Sequence, residues 1–240
     1  MNKHKPFCLT ANLLTPLVIK RSSINLASLL YHACWLHTHD QQNAIELLDS
    51  LLVRTEGVHH GSNMTFGVKP SSPLIALELK TVGRMGQETD FSKSLLLPNG
   101  RGNKYIKVIT NGGVYKTRFE THKAYHSSMV HFYGNGDGYA IAELLNHYVG
   151  ALGVYANRGS GTISEFTCEP AKEDWSLTRP KADGSNELMR SIRADFASTA
   201  GIDLEDYEIT KGKVIPPFYC GEQTDVYSPA AVLLTRHKTN

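Results

Sequence analysis

The stretch Gly138–Cys168, GYAIAELLNHYVGALGVYANRGSGTISEFTC, places a helix, a glycine-rich loop and a strand in immediate succession. Asn135-Gly-Asp137 comes just before it and is typical of a helix start, with Asp137 as the N-cap residue. Apolar residues then recur at helical spacing as far as Leu152, and the segment from Thr162 to Cys168 alternates as a strand does. Ser128–Tyr133 is also strand-like, so the order is strand, helix, loop, strand.

The N-terminal part of the chain has a similar order of elements. Phe7–Ile19 alternates apolar and polar residues and predicts a strand that ends near Pro16. Ser22-Ser23 offers an N-cap for a helix whose apolar face starts at Leu26, and Gln41–Val53 predicts a second helix. Two β-α-β halves predict an α+β fold with a ferredoxin-like (RRM-like) core.

The other regions are predicted to add peripheral elements to a single domain, residues 1–240. Val58–Leu79 predicts a β-hairpin region, and Glu187–Ala197 predicts a helix. Residues 81–125 are glycine-rich and basic and predict an insertion with a hairpin, Lys104–Ile109 and Val114–Phe119. Residues 171–240 predict a C-terminal extension of short strands and loops.

Composition excludes several classes of protein. The chain has 240 residues, of which 41% are hydrophobic and 20% charged, values that argue against a disordered, coiled-coil or collagen-like chain. Apolar runs fall short of the roughly 18 residues of a membrane span, and the N-terminus lacks the apolar core of a signal peptide. We therefore expect a cytoplasmic protein with no membrane partner. Four scattered cysteines without a CxxC pair predict free thiols: Cys8, Cys34, Cys168 and Cys220.

Positive charge is concentrated in one region. The formal net charge is only +2, yet residues 80–123 contain nine basic and three acidic residues, and the rest of the chain contains sixteen basic and twenty acidic residues. Aromatic residues are interleaved with these cations: Tyr105, Tyr115, Phe119 and Tyr125. Cations beside rings on which bases can stack favour a single-stranded nucleic acid as the partner, and the alternative is a solvated charged hairpin.

The glycine loop, Tyr155–Gly161, lies after a helix and before a strand. A phosphate-binding loop of the P-loop or Rossmann type lies after a strand and before a helix, so this loop is not of either type. Gly159 and Gly161 lack a Cβ and could let a phosphate chain approach, with Arg158 as an adjacent cation. The alternative is a helix C-cap followed by a turn.

Two enzymatic hypotheses stay open at this stage. One is a metal-independent endoribonuclease, with acid–base chemistry from four side chains: Lys116, His122, Tyr125 and His126. The other is a metal hydrolase with four ligand candidates: His37, His39, Asp40 and His59. Neither an HExxH nor a GxSxG motif is present, so we expect no catalytic residue, no metal site and no cofactor.

The segment Val149–Ser164 resembles the glycine-rich loop of the CRISPR repeat-associated RAMP superfamily, in which a helix leads through a GxG turn into the last core strand. Lys5–Pro16 followed by Ile24–Leu30 resembles the opening strand and helix of the same superfamily. Later segments are similar, in order and spacing, to the type IV effector subunit that binds the 5′ handle of the guide RNA: Gly113–Lys116, His131–Asp137, Ala142–Leu145, Asp174–Ser176, Arg179–Pro180 and Pro216–Tyr219. The resemblance covers most of the chain.

This resemblance implies a non-catalytic RNA-binding subunit of a type IV CRISPR ribonucleoprotein. Such a subunit caps the crRNA 5′ handle, contacts the repeated backbone subunit and the large subunit, and assists recognition of the DNA that flanks the target. Residues 81–125 would be a thumb-like element. The RNA-binding candidates are Lys104, Lys107, Lys116, Arg118, Lys123, Tyr125, Arg158, Gly159, Ser160 and Gly161.

Overall fold

The computed structural model describes residues 5–19, 24–68, 74–83, 98–99, 104–105, 118–181, 184–199, 204, 207–230 and 233–234. Helices in this part of the chain are α1 (Leu26–Thr38), α2 (Gln41–Leu51), α3 (Gly138–Tyr148), α4 (Ala194–Thr199) and a 3-10 turn at Ala156–Arg158. The strands are β1 (Lys5–Leu13), β2 (Leu17–Val18), β3 (Arg54–Thr55), β4 (Val58–His59), β5 (Thr65–Phe66), β6 (Ile75–Gly83), β7 (Pro98–Asn99), β8 (Lys104–Tyr105), β9 (Arg118–His126), β10 (Met129–Gly136), β11 (Ile163–Pro170), β12 (Thr178–Pro180), β13 (Asn186–Leu188), β14 (Ile192–Arg193), β15 (Ile209–Gly212), β16 (Thr224–Tyr227) and β17 (Leu233–Leu234).

The central sheet has the strand order β11-β1-β10-β5-β17. Strand β1 pairs antiparallel with both β10 and β11, so that Leu9 lies opposite Phe132 on one side and opposite Cys168 on the other. Strand β5 is antiparallel to β10 and parallel to β17. The fold is therefore mixed α+β, as the sequence predicts.

One hydrophobic core joins one face of this sheet to the first three helices. Leu9 and Phe132 of the sheet are fully buried in the same cluster as Leu30 of α1, Leu48 of α2 and Leu145 of α3. In β1 the inward residues alternate with half-buried ones, which is the period-two pattern of a strand with one buried face. Helices and sheet thus form two packed layers.

The C-terminal extension covers part of the other face of the sheet. Tyr133 of β10 forms a small buried cluster with Met189 and Leu233, and its ring centroid lies 5.1 Å from that of Trp175. The extension also contains two small sheets, β12-β13 and β14-β16-β15, and supplies the edge strand β17. It is β-rich, in agreement with the prediction from sequence.

Arg190 fixes this extension to the core through backbone carbonyls. Its side chain is among the largest that are fully buried, and its guanidinium donates to the carbonyl oxygens of His59, Ser191 and Val214. Burial lowers the pKa of Arg190 to about 10, which leaves it charged at neutral pH. The His59 carbonyl belongs to the core and the Val214 carbonyl to the extension, so this single side chain ties the two together.

The chain divides into two compact units, residues 1–76 with 125–240 and residues 77–124. The sequence places the basic insertion at 81–125. Within the second unit, which we call the basic unit, β6 and β9 are neighbours in one sheet, and β7 pairs with β8 in the register Asn99 to Lys104. The rest of the predicted hairpin, residues 106–109 and 114–117, lies outside the described residues.

The predicted helices at 41–53 and after Asp137 are confirmed. Helix α2 spans Gln41–Leu51, and α3 begins at Gly138 with the Asp137 carboxylate accepting from the Ala140 amide at 3.1 Å. The predicted cap of α1 at Ser22-Ser23 is wrong. Asn25 caps α1 instead, because its Oδ1 accepts from the amides of Ala27 at 3.0 Å and Ser28 at 3.4 Å. The Asn25 Nδ2 donates across the fold to the Gly61 carbonyl and to Asn63 Oδ1, each at 3.0 Å.

Two further predictions are wrong. Val58–Leu79 is not a hairpin, because β4 pairs with β3, β5 pairs with β10, and β6 lies beside β9. Glu187–Ala197 is not one helix, because it contains the end of β13 and all of β14, and α4 begins only at Ala194. In the described part of the chain, no helix is both long and apolar enough to cross a membrane.

Candidate nucleic-acid interface

The glycine loop forms a compact turn between α3 and β11. The 3-10 turn Ala156–Arg158 is flanked by Tyr155 and Gly159, both in the left-handed region, with φ of 66° and 82°. Before and after it the chain returns on itself, since the Leu152 amide donates to the Gly161 carbonyl at 2.8 Å. A left-handed φ is costly for a residue with a Cβ, so the position of Tyr155 must be fixed by its surroundings.

Hydrogen bonds anchor the loop to the segment between β1 and β2. Thr15 Oγ1 donates to the Gly159 carbonyl at 2.7 Å. The buried Ser160 hydroxyl donates to the Pro16 carbonyl at 3.0 Å and accepts from the Val18 amide at 3.1 Å. Both hydrogen-bonding roles of Ser160 are therefore used within the chain.

The amides of the second half of the loop also bond to the chain itself. The Arg158 and Ser160 amides donate to the Tyr155 carbonyl at 2.8 and 3.2 Å, the Gly159 amide donates to Ala156 at 3.1 Å, and the Gly161 amide donates to Pro16 at 2.9 Å. A loop that binds phosphate through a nest directs successive amides at the anion. These four amides are used within the chain, so none of them is directed at a phosphate.

The exposed face of the loop presents a cation stacked on a ring. The Arg158 guanidinium lies over the Tyr155 ring, 5.1 Å from its centroid, and Arg158 is exposed. Gly159 is also exposed, and a Cβ placed on it would meet nothing within 4 Å. An exposed Arg over an aromatic ring keeps donors available for a phosphate or a base edge.

Gly161 differs from Gly159 because the space beside it is filled. A Cβ on Gly161 would overlap the Leu152 carbonyl oxygen, and its φ of 64° is left-handed. Of the predicted loop residues, Arg158 and Gly159 face solvent, whereas Ser160 and Gly161 are buried.

Three of the remaining RNA-binding candidates lie on β9: Arg118, Lys123 and Tyr125. Lys123 is exposed, and Tyr125 is half-buried with its ring centroid 5.4 Å from that of Phe66. Arg118 lies at the start of β9, Lys104 lies in β8, and their side chains are outside the described part of the chain. Lys107 and Lys116 are also outside it.

The acid–base candidates have local partners or face solvent. His122 Nε2 lies 3.4 Å from Glu120 Oε2, and His126 is exposed. A further histidine outside this set, His131, lies on the sheet face opposite the helices, with its Nδ1 2.9 Å from Thr10 Oγ1. The ribonuclease set also includes Tyr125, which is half-buried, and Lys116, which lies outside the described residues.

The four metal-ligand candidates serve local structure. His37 Nδ1 is 3.0 Å from the Tyr148 hydroxyl, and His39 ends α1 with a φ of 53°. Asp40 caps α2, and the buried His59 has its Nε2 2.6 Å from Asp49 Oδ1. In the described ranges, no group of three or more His, Cys, Asp or Glu side chains is arranged to hold a metal ion.

The cysteines are free thiols, as the sequence predicts. Burial raises the pKa of Cys34 to about 12 and the pKa values of Cys8 and Cys168 to about 11. These three thiols are therefore protonated at neutral pH, the state in which a cysteine is a poor nucleophile.

Sequence reasoning missed an aromatic pocket beside α1. Tyr31 and Trp35 are four residues apart and so lie on one side of the helix, a signal that the sequence does contain. Phe218 and Tyr219, which complete the pocket, are remote in sequence, and only the fold brings the two pairs together.

Comparison with protein-family models finds no matching family, and comparison with curated proteins finds no matching relative.

Proposed function

We propose that this chain is a non-catalytic RNA-binding subunit of a type IV CRISPR ribonucleoprotein. In this role it caps the 5′ handle of the crRNA, contacts the repeated backbone subunit and the large subunit, and assists recognition of the DNA that flanks the target. The proposal also assigns the protein to the cytoplasm.

We also infer that the core is ferredoxin-like. Four strands of the central sheet are numbered 1 to 4 along the chain: β1, β5, β10 and β11. Across the sheet they lie side by side in the order 4-1-3-2. Helix α1 follows the first of these strands, α3 follows the third, and every neighbouring pair among the four is antiparallel. This arrangement supports a β-α-β-β-α-β core of the kind that many RNA-binding domains use.

One observation is the main support for RNA binding: positive charge is concentrated in a separate compact unit. Residues 77–124 contain nine basic and four acidic residues, although the whole chain has a formal net charge of only +2. A local excess of cations attracts a polyanion and releases its condensed counterions on binding. The exposed Arg158 on Tyr155 adds a cation in the other unit.

The salt dependence of RNA affinity tests this proposal. A fluorescently labelled repeat-derived RNA is titrated with the wild type and with a variant that carries four Lys/Arg→Gln changes at Lys104, Lys107, Lys116 and Arg118. A control variant loses the same number of charges elsewhere on the described surface: Arg54, Lys172, Lys181 and Lys211.

We expect the slope of log affinity against log salt to fall by about 0.7 for each phosphate of a single strand that the variant no longer neutralises. The control variant should keep the wild-type slope. Equal slopes for all three proteins would show that the basic unit does not bind the RNA backbone.

The non-catalytic part of the proposal has its own test. Unlabelled repeat RNA is incubated with the chain alone, with and without EDTA, and we expect it to remain intact. Cleavage that survives EDTA and is lost in His126→Ala would replace this part of the proposal with a metal-independent endoribonuclease.

A further inference from the structure

A pocket of about 490 Å³ lies between α1 and the segment that follows Pro216-Pro217, within the range of sites that hold small molecules. Aromatic rings form most of its surface: it is lined by Ser28, Tyr31, His32, Trp35, Phe218 and Tyr219.

The rings of the aromatic pocket divide into a buried floor and exposed walls. Tyr31 is only 4% exposed, and it meets Phe218 edge-on at 6.0 Å and Tyr219 at 6.4 Å between centroids. By contrast, Trp35 is 41% and Tyr219 is 67% exposed. The floor positions two large rings that keep much of their surface open to a ligand.

The electrostatics of the aromatic pocket favour a neutral ring with an anionic substituent. None of its lining residues is a carboxylate, and α1 contains no acidic residue along its whole length. Burial raises the pKa of Tyr31 to about 12, with a further contribution from Tyr219, so Tyr31 stays a neutral phenol.

A cation lies close to this pocket. Lys213 Nζ donates to the Tyr219 carbonyl at 2.8 Å. A methylammonium ligand would be repelled by Lys213, whereas a phosphate beside a stacked base would be attracted. Bases stack on Trp and Tyr rings whatever their sequence, so these rings suit a single strand of any sequence.

We propose that the aromatic pocket stacks one nucleobase between Trp35 and Tyr219, with Lys213 beside the phosphate of that nucleotide. The base comes from the single-stranded RNA of the proposed function, on which this inference rests, or from a free nucleotide with the same chemistry.

Tryptophan fluorescence reads this site directly. The chain has two tryptophans, so Trp175→Phe leaves Trp35 as the sole indole. In this background the protein is titrated with a single-stranded oligoribonucleotide, the same sequence as a duplex, a nucleoside monophosphate and an oligoproline peptide. A base that stacks on Trp35 quenches its emission, and we expect saturable quenching by the single strand that is stronger than quenching by the duplex.

Removal of one wall of the aromatic pocket should weaken binding. Loss of one stacking ring corresponds to roughly a 5- to 150-fold loss of affinity, so Tyr219→Ala should fall in that range while Tyr219→Phe keeps the wild-type value. Tyr139→Ala is the matched control, because Tyr139 is also 67% exposed and lies at the start of α3. Far-UV circular dichroism of each variant checks that the fold is kept.

The outcomes separate the pocket from the proposed function. If labelled RNA binds but Trp35 emission and the affinity of Tyr219→Ala are unchanged, the pocket inference is overturned and RNA binding stands. If RNA does not bind but the monophosphate quenches Trp35, the pocket holds a free nucleotide and the proposed function is overturned. Quenching by neither nucleotide form overturns the pocket inference, and quenching by oligoproline alone replaces it with a peptide site.

Discussion

Two glycine-rich segments, Gly134–Gly138 and the glycine loop, resemble each other in sequence but differ in what lies beside their glycines. In the first, a Cβ on Gly134 would overlap the Phe7 ring, and a Cβ on Gly136 would overlap the Leu51 carbonyl oxygen. In the second, Gly161 is crowded in the same way, but Gly159 faces open space. Most of these glycines therefore serve close packing within the chain, and only Gly159 leaves room for a ligand.

The polar side chains of the two segments differ in the same way. Asp137 caps α3, and Asn135 Nδ2 donates to Asp174 at 2.8 Å, so both act within the fold. In the glycine loop Ser160 also acts within the fold, but Arg158 stays exposed on Tyr155. A glycine-rich pattern alone is thus weak evidence for a binding site, and the decisive feature is which groups remain exposed.

The largest expected effect separates the two glycines of the loop. Gly161→Ala combines a left-handed φ with an overlap on Leu152, so the free energy of unfolding should fall by about 3 kcal/mol or more. Gly159→Ala carries only the left-handed strain and should cost about 1 kcal/mol. Urea denaturation followed by fluorescence measures both, and equal losses would show that the packing difference has no energetic consequence.

Ser160→Ala tests whether the loop is anchored from inside. The change leaves the Pro16 carbonyl and the Val18 amide without the Ser160 partner, and should lower the free energy of unfolding by about 2 kcal/mol. Ser164→Ala is the control, since its exposed hydroxyl makes a single 3.4 Å hydrogen bond to the Asn12 carbonyl. Similar urea midpoints for the two variants would contradict an anchoring role.

Arg158→Gln tests whether the exposed cation binds RNA. Removal of a charge-assisted hydrogen bond at this position should weaken RNA affinity about tenfold while leaving the urea midpoint unchanged. Arg54→Gln removes another surface arginine, one that pairs with Asp49 at 2.9 Å, and should leave affinity as it is. Fluorescence anisotropy at fixed salt gives both values, and equal affinities for the two variants would exclude a specific role of Arg158.

The smallest effect concerns Asp174, which holds Asn135 of the first segment. Burial opposes ionisation of Asp174, but hydrogen bonds from His60, Ser176 and Asn135 outweigh it and hold the pKa of this carboxyl well below its usual range. Because the pKa of Asp174 is lower in the folded state than in the unfolded state, its ionisation stabilises the fold in full above about pH 4. This stabilisation is lost as the pH falls through the folded-state pKa.

Asp174→Asn should therefore lower the free energy of unfolding by about 1 kcal/mol at pH 7, and the difference from wild type should shrink below about pH 4. Asp225→Asn, which breaks only the exposed pair with Lys211, should change it by less than about 0.5 kcal/mol. Thermal or urea unfolding across pH 3–7 measures both, and a constant difference between Asp174→Asn and wild type would rule out the titration of Asp174 as the cause.

Local pattern predicts the elements whose signals are local. Helix α3, its Asp137 cap and the alternation in β1 follow from spacing within one segment. The region 187–197 misleads because Leu188, Ile192 and Phe196 are four residues apart, as on one helix. They do share one buried cluster, but they lie in three different elements, β13, β14 and α4. The buried Arg190 between them bonds to the carbonyls of His59 and Val214, partners that no local window contains.

The same limit applies to the candidate site. The sequence predicts Arg158 and Gly159 as RNA-binding candidates because the glycine loop is continuous in the chain. It cannot show that Ser160 faces inward, since the Pro16 and Val18 partners are more than 140 residues away. Nor can it pair Trp35 with Tyr219, whose proximity depends on where the C-terminal extension packs.

The most direct test of RNA binding is to purify the chain from cells that also express candidate guide arrays and to sequence the RNA that copurifies. Capping of the crRNA handle predicts enrichment of RNAs that share one repeat-derived 5′ end, with less RNA recovered by the variant of the basic unit. Recovery of no RNA, or of random fragments in equal amounts with both proteins, would contradict it.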